Sequence, residues 1–257
     1  MERITSLKNP KVQAWRSLKE RKGRKETGCF LVEGRKMVAE ALASSFPVAA
    51  VLVDEARLAE FSLPDEGRLP EGVDVFLLPE HVLAAVCDTK TPQGVAAVVR
   101  MAEPGMSGQR LVALDGVQDP GNVGTIIRTA DAAGFDGVLL SGQCADPFSP
   151  KVLRATMGSV FRMALRVTDD LPGALEALRL SGYAVLSSQL DGEPFGPVAR
   201  GVSAPFALVI GSEGSGVSEP VRRLATHRVA LPMRGGAESL NAAVAAGIMM
   251  YGLMDGE

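Results

Sequence analysis

The chain has 257 residues, 46% of them hydrophobic and 22% charged, a balance that excludes an intrinsically disordered protein and leaves length for two buried cores. Three scattered cysteines, Cys29, Cys87 and Cys144, and two histidines, His81 and His227, offer neither a disulfide framework nor zinc-ligand spacing, so no metal site is expected. The net charge of −3 conceals an asymmetry, because residues 1–36 hold eleven Lys/Arg against four Asp/Glu.

The opening MERITSLKNPK lacks an apolar signal core, and no run approaches the roughly 18 apolar residues of a membrane span. A cytoplasmic protein with no membrane partner is expected. A first helix is predicted from Pro10, with Val12, Trp15 and Leu18 on one face. The basic run KERKGRKETG, Lys19–Gly28, reads on charge alone as a solvated helix end and loop. Its functional reading makes Arg21, Lys22, Arg24 and Lys25 contacts to an RNA phosphate backbone. CFLVEG, PVAAVLVD, VDVFLLP and GVAAVVRM read as strands and GRKMVAEALASS and EHVLAAVCD as helices, which makes residues 1–101 a compact α/β domain. AEPGMSGQR, residues 102–110, has linker composition. Residues 111–257 form the second domain. Strands LVALDG, GVLLS, YAVLSSQ, FALVIG and HRVALP alternate there with helices near 120–133, 149–158, 170–180, 218–225 and 239–253. Strands so uniformly apolar belong to a parallel sheet covered on both faces.

In such sheets ligands bind beyond the carboxyl ends of the strands, and three loops there are unusual. In DPGNVGTIIR, Asp119 can cap a helix and Pro120 suits its first position, while Gly121 and Gly124 strip side chains from its first turns. Gly124 stands four residues from Arg128, so the glycine is expected to clear the surface over which the arginine lies; tight helix packing is the alternative. VIGSEGSGVS sets Glu213 among three glycines after a buried strand, without the Lys-Ser/Thr of a phosphate loop. LPMRGGAESLNAAVAAGIMMY places Ser239 where an N-cap is expected and Asn241 in the first turn of an alanine-rich helix.

In this order, these three motifs resemble those of the SpoU/TrmH family of RNA 2′-O-ribose methyltransferases, of the SPOUT superfamily. The resemblance covers residues 111–254. The N-terminal part is similar to the L30e/L7Ae-like substrate-binding domain of many ribosomal-RNA members. The resemblance implies a C-terminal parallel-sheet SPOUT domain with a deep trefoil knot, S-adenosylmethionine as cofactor, and a homodimer with its active site at the subunit interface. By motif it implies that Gly211, Leu231, Met233 and Leu240 line the cofactor site and that Asn122, Arg128, Glu213, Ser239 and Asn241 are the polar residues of the catalytic site.

No histidine or cysteine lies in the three motifs, which removes the usual general base and nucleophile. Arg128 is then expected to bind a substrate phosphate and stabilise developing alkoxide, with Glu213, Asn241 and Ser239 positioning the site; the proton acceptor stays open. The expected activity is S-adenosylmethionine-dependent 2′-O-methylation of RNA, ribosomal (23S) before transfer RNA. Methylation of a base nitrogen and a non-catalytic RNA-binding role are the alternatives.

Overall fold

The computed structural model describes residues 1–60, 72–102, 105 and 108–254. The expected linker 102–110 falls partly outside the described residues. In chain order the first half contains β1 (Glu2–Arg3), α1 (Pro10–Ser17), α2 (Arg21–Thr27), β2 (Cys29–Glu33), α3 (Arg35–Ala43), β3 (Val48–Asp54), β4 (Asp74–Leu78), α4 (Glu80–Val86) and β5 (Val95–Arg100). Next come β6 (Arg110–Asp115), α5 (Pro120–Ala132), β7 (Gly137–Ser141), α6 (Pro150–Thr156), β8 (Ala164–Thr168) and α7 (Leu171–Leu180). The chain continues through β9 (Ala184–Pro194), α8 (Phe195–Gly201), β10 (Phe206–Gly211), α9 (Glu219–Arg222), β11 (His227–Ala230) and α10 (Ala242–Met254).

The chain divides into two compact units, Met1–Ala102 with Phe148–Arg162, and Glu103–Pro147 with Met163–Glu257. The helix expected near 149–158 in the second domain therefore belongs to the first unit. Aromatic packing accounts for it: Phe148 and Phe161 stand 4.8 and 6.2 Å from Phe30, and Phe161 meets Phe46 edge-on at 5.5 Å. Ion pairs Arg154–Asp88 at 2.9 Å and Arg162–Glu40 at 2.7 Å flank that cluster.

The first unit is built on a mixed five-stranded sheet, β1-β4-β3-β5-β2, in which β5 runs antiparallel to both of its neighbours. Asn9 caps α1 by accepting from the Lys11 amide at 2.8 Å, and Pro10 fills the first position. The predicted apolar face of that helix, Val12, Trp15 and Leu18, is buried, with Trp15 5.0 Å from Phe76.

The basic run is helical as α2, and one of its four proposed RNA contacts is corrected. Arg24 is only 3% exposed, and its Nη1 donates to the carbonyls of Leu18 and Lys19, both at 2.7 Å. It satisfies acceptors left at the end of α1 and cannot present its charge to a phosphate. Arg21, Lys22 and Lys25 are exposed, Lys22 lying 3.8 Å from Glu26. Arg24→Ala is expected to lower the unfolding free energy by about 2–3 kcal/mol, because buried carbonyls lose a charged donor. Lys25→Ala should leave stability unchanged, and denaturant titration of the two variants checks the contrast.

The second unit carries an all-parallel six-stranded sheet ordered β11-β9-β10-β6-β7-β8. Every residue of the central β10, FALVIG, is buried, as expected for a strand covered on both faces. α5 lies against α10, with Gly247 facing the Thr129 methyl. Gly124 is buried and Arg128 exposed.

Candidate active site

The central strands β6 and β10 run in parallel register to their ends, where Asp115 stands opposite Gly211. Both then turn into loops. After Gly211 the chain folds back on itself through reciprocal backbone bonds between Ser212 and Gly216, at 3.1 and 2.9 Å. A Cβ on Gly211 would lie 2.1 Å from the Gly216 carbonyl carbon, so only glycine lets the loop close over the strand end. The buried carboxylate of Asp115 accepts from the Ser218 amide at 2.7 Å and pins the far end of the same loop.

The opposite wall comes from β9. Ser187 pairs with Arg228 of β11, and pairing resumes only at Glu193 with Val229, so Ser188–Gly192 bulge out of the ladder. Between the bulge and the Gly211 loop lies a cleft of about 400 Å³. Ile210, Val217, Leu231 and Met249 give it apolar walls. Asp191 and Arg222, paired at 3.3 Å, stand at its rim. Gly211, Leu231, Met233 and Leu240, singled out as cofactor residues, all line this cleft, as do Glu213 and Ser239.

A hydrogen-bonded relay joins the three unusual loops, and its polarity follows from one end. Asn241 precedes α10, and its Oδ1 accepts from the amides of Ala243 at 3.0 Å and Val244 at 3.3 Å. Backbone N–H groups only donate, which fixes the orientation of that amide. Asn241 Nδ2 must then donate, and it does so to Asn122 Oδ1 at 3.0 Å. Asn122 Nδ2 in turn donates to Glu213 Oε1. The positive end of α10 is thus connected through two oriented amides to one oxygen of a carboxylate. Asp119 sets the Asn122 end of the relay by capping α5 through the Asn122 amide at 2.8 Å.

The helix cap corrects an expectation. Ser239 is exposed and without a hydrogen bond among the described residues, and Asn241 is the cap. Arg128 lies six residues beyond Asn122 on the exposed face of α5 and makes no ion pair or hydrogen bond among the described residues. A single chain thus unites Asn122, Glu213 and Asn241 but leaves Arg128 apart from them. Asp115, Gln189, Asp191 and Arg222 were not singled out in the sequence; the Asp-Gly turn signal at 191–192, directly after an apolar strand, is what could have drawn attention to the bulge. Burial pushes the Cys29 and Cys87 thiols up, keeping both protonated, and no metal-binding group of side chains occurs among the described residues.

Because the relay depends on which atom donates, Asn241→Asp is expected to keep the helix cap while removing the donor to Asn122. We expect turnover to fall by about 30- to 100-fold with little change in melting temperature, measured by methyl transfer and thermal unfolding on one preparation.

Residues 109–251 match the SpoU rRNA Methylase family, and residues 9–97 match the MRM3-like substrate binding domain. The chain is 42% identical over 256 residues to the 23S rRNA (guanosine(2553)-2′-O)-methyltransferase RlmP of Bacillus subtilis, covering 98% of this chain and 99% of the relative. It is 32% identical to the 23S rRNA (uridine(2479)-2′-O)-methyltransferase of Streptomyces viridochromogenes, covering 97% and 90%. The AdoMet-bound rRNA methyltransferase of Sinorhizobium meliloti superposes with a TM-score of 0.86 at 33% identity, covering 99% of this chain and 97% of that one. A match over more than half of the chain, together with relatives aligned along nearly its whole length, places this protein in the SpoU rRNA methylase family.

Proposed function

We propose that the protein transfers the methyl group of S-adenosylmethionine to a ribose 2′-hydroxyl of 23S ribosomal RNA. The observation that carries this reading is the relay from α10 through Asn241 and Asn122 to Glu213, beside a cleft lined by Glu213 and by the loop that leads to Asn241. The two relatives modify a guanosine and a uridine, so what their reactions share is the ribose hydroxyl of 23S rRNA and not the base.

The cleft suits the cofactor by size and chemistry. About 400 Å³ is within the usual range for small-molecule sites, and apolar walls fit an adenine slab. A buried, unpartnered Gln189 Oε1 offers an acceptor among those walls. Gly211, Leu231, Met233 and Leu240 would hold the molecule, which when bound supplies a methyl group activated by positively charged sulfur.

The remaining work falls to side chains of this protein. The relay occupies one oxygen of Glu213 and fixes the carboxylate, leaving Oε2 to take the hydrogen of an approaching ribose hydroxyl. Holding that hydroxyl in line is worth roughly 7–11 kcal/mol when a near-attack geometry is kept. Arg128 binds the adjoining phosphate and opposes the negative charge that grows on the attacking oxygen. A guanidinium stays protonated, so this role needs no proton from it.

Arg128 is separated from the relay in one chain, and a homodimer brings the two together. Val244, Ile248 and Tyr251 form one stripe along α10, 47–51% exposed, while the opposite face of the helix is buried. A stripe on a helix can cover itself across a twofold axis. The out-of-sequence strand order β11-β9-β10-β6, with α10 returning against α5, supports the deep trefoil knot. No helix among the described residues is long and apolar enough to cross a membrane, and a ribosomal substrate supports a cytoplasmic enzyme.

Mapping 2′-O-methyl groups in total RNA from cells with and without the protein tests this function. One ribose methyl missing from 23S rRNA is the expected result. A missing base methyl, a missing transfer-RNA methyl or an unchanged map would each overturn it.

A further inference from the structure

The loop between β11 and α10 carries a cation without a partner. Leu231 and Met233 line the cleft, the chain then leaves its wall, and it returns at Ser239 and Leu240. The excursion, residues 234–238, is exposed throughout. Arg234, at its start, makes no ion pair or side-chain hydrogen bond among the described residues, and Glu238, the other charged residue of the excursion, is not paired with it. Arg222, the cation that lines the cleft, is by contrast held by Asp191 at 3.3 Å. Gly235 and Gly236 follow Arg234 directly. Neither has a left-handed φ, and a Cβ built on either would meet nothing within 4 Å, so neither packing nor a turn in this chain calls for glycine there. Glycine loses more conformational freedom on folding than any other residue, and a pair of them without a local reason marks a surface that a ligand approaches closely.

The placement says which ligand. A cofactor within the cleft is lined by Met233 and Ser239 but not by the residues between them. What comes to the cleft from outside is the RNA. Asp191 and Arg222 neutralise each other, which leaves Glu213 as the uncompensated charge among the lining residues, and it repels a polyanion. A ribose within a strand lies between two phosphates, and Arg128 is assigned to one of them. A free guanidinium followed by two residues without side chains suits the other: the planar fork pairs with phosphate oxygens, and the bare backbone lets the sugar–phosphate chain lie against the loop. We propose that Arg234 is a positioning residue that seats this second phosphate, with Gly235 and Gly236 as the surface over which the strand passes. This rests on the ribosomal-RNA reading given above.

The experiment is methylation of 23S rRNA purified from cells lacking the protein, followed across a series of salt concentrations, with calorimetry for S-adenosylhomocysteine on the same preparations. Arg234→Ala should raise KM for RNA about tenfold while turnover at saturating RNA stays within about twofold. Its RNA affinity should depend on salt less steeply, the slope of log affinity against log salt falling by about 0.7–0.9 for the one phosphate lost. Arg234→Lys should recover most of the KM, because a point charge also holds a phosphate. Gly236→Val keeps the arginine and should still raise KM, with the affinity for S-adenosylhomocysteine unchanged. An unaltered KM and salt slope in Arg234→Ala would overturn the assignment. So would a fall in turnover at constant KM, or weaker binding of S-adenosylhomocysteine by either variant, which would make the loop part of the cofactor site. Failure of the unsubstituted protein to methylate this RNA overturns it together with the ribosomal-RNA reading.

Discussion

Arg128→Ala should lower the turnover of RNA methylation about a thousandfold while leaving the fold and the affinity for S-adenosylhomocysteine intact. The structural half of that expectation follows from its surroundings. Arg128 is exposed on α5 and has no ion pair or hydrogen bond among the described residues, so its removal orphans nothing, and stability should move by no more than about 0.5 kcal/mol. The catalytic half follows from charge. As the ribose oxygen attacks, it gains negative charge beside a phosphate that already carries one, and the three side chains of the relay are two neutral amides and a carboxylate. Arg128→Lys should also fail, by at least about a hundredfold, because an ammonium cannot reproduce a planar fork spanning phosphate and alkoxide. Single-turnover rates with saturating RNA, beside calorimetry for the cofactor product, separate the two halves. Full turnover in Arg128→Ala would remove the arginine from the mechanism.

The sequence makes legible those parts of the protein whose side-chain pattern reports burial directly. FALVIG, buried at every residue, and the Val12, Trp15 and Leu18 face of α1 could be placed because uniform or periodic hydrophobicity follows from being covered. β8 escapes that logic. As an edge strand with Arg166 exposed and Val167 44% exposed, it lacks the apolar run expected of a buried strand. α8 escapes because FGPVARG has the composition of a loop, although Phe195 and Ala199 are buried one turn apart. The displacement of residues 148–162 into the first unit depends on Phe30 and Phe46, more than a hundred positions away, and no local pattern carries such information.

The candidate site divides along similar lines. Asn122, Glu213 and Asn241 stand out because polar residues among glycines and alanines at strand ends lack a packing explanation. What single residues do not disclose is direction: that Asn241 caps the helix, and therefore that each amide of the relay can point only one way, emerges once Ala243 and Val244 are seen to donate to it. Arg24 shows the opposite failure, a cation in a basic run whose charge is consumed by two carbonyls six and five residues behind it. Charge density locates a surface, whereas burial decides which members of the run belong to it.

On the homodimer proposed above, Ile248→Glu should leave a folded, inactive monomer. Ile248 is 47% exposed, within the stripe that also contains Val244 and Tyr251, so a carboxylate there meets solvent in one chain but an apolar partner across a twofold contact. The twofold axis doubles the effect, since each substitution enters the same interface twice. Sedimentation should report half the mass, circular dichroism an unchanged helix content, and turnover a loss of more than about a hundredfold, because Arg128 and the relay no longer share a site. A complementation experiment shows whether the arginine acts across that interface. Arg128→Ala and Glu213→Ala are each expected to be inactive alone, and in a mixed dimer one site carries both lesions while the other carries neither. Random exchange of equal amounts should therefore restore about a quarter of the unsubstituted activity, one intact site in half of the dimers. If both residues served one site from the same chain, every site in every mixed dimer would contain a lesion, and mixing would restore nothing.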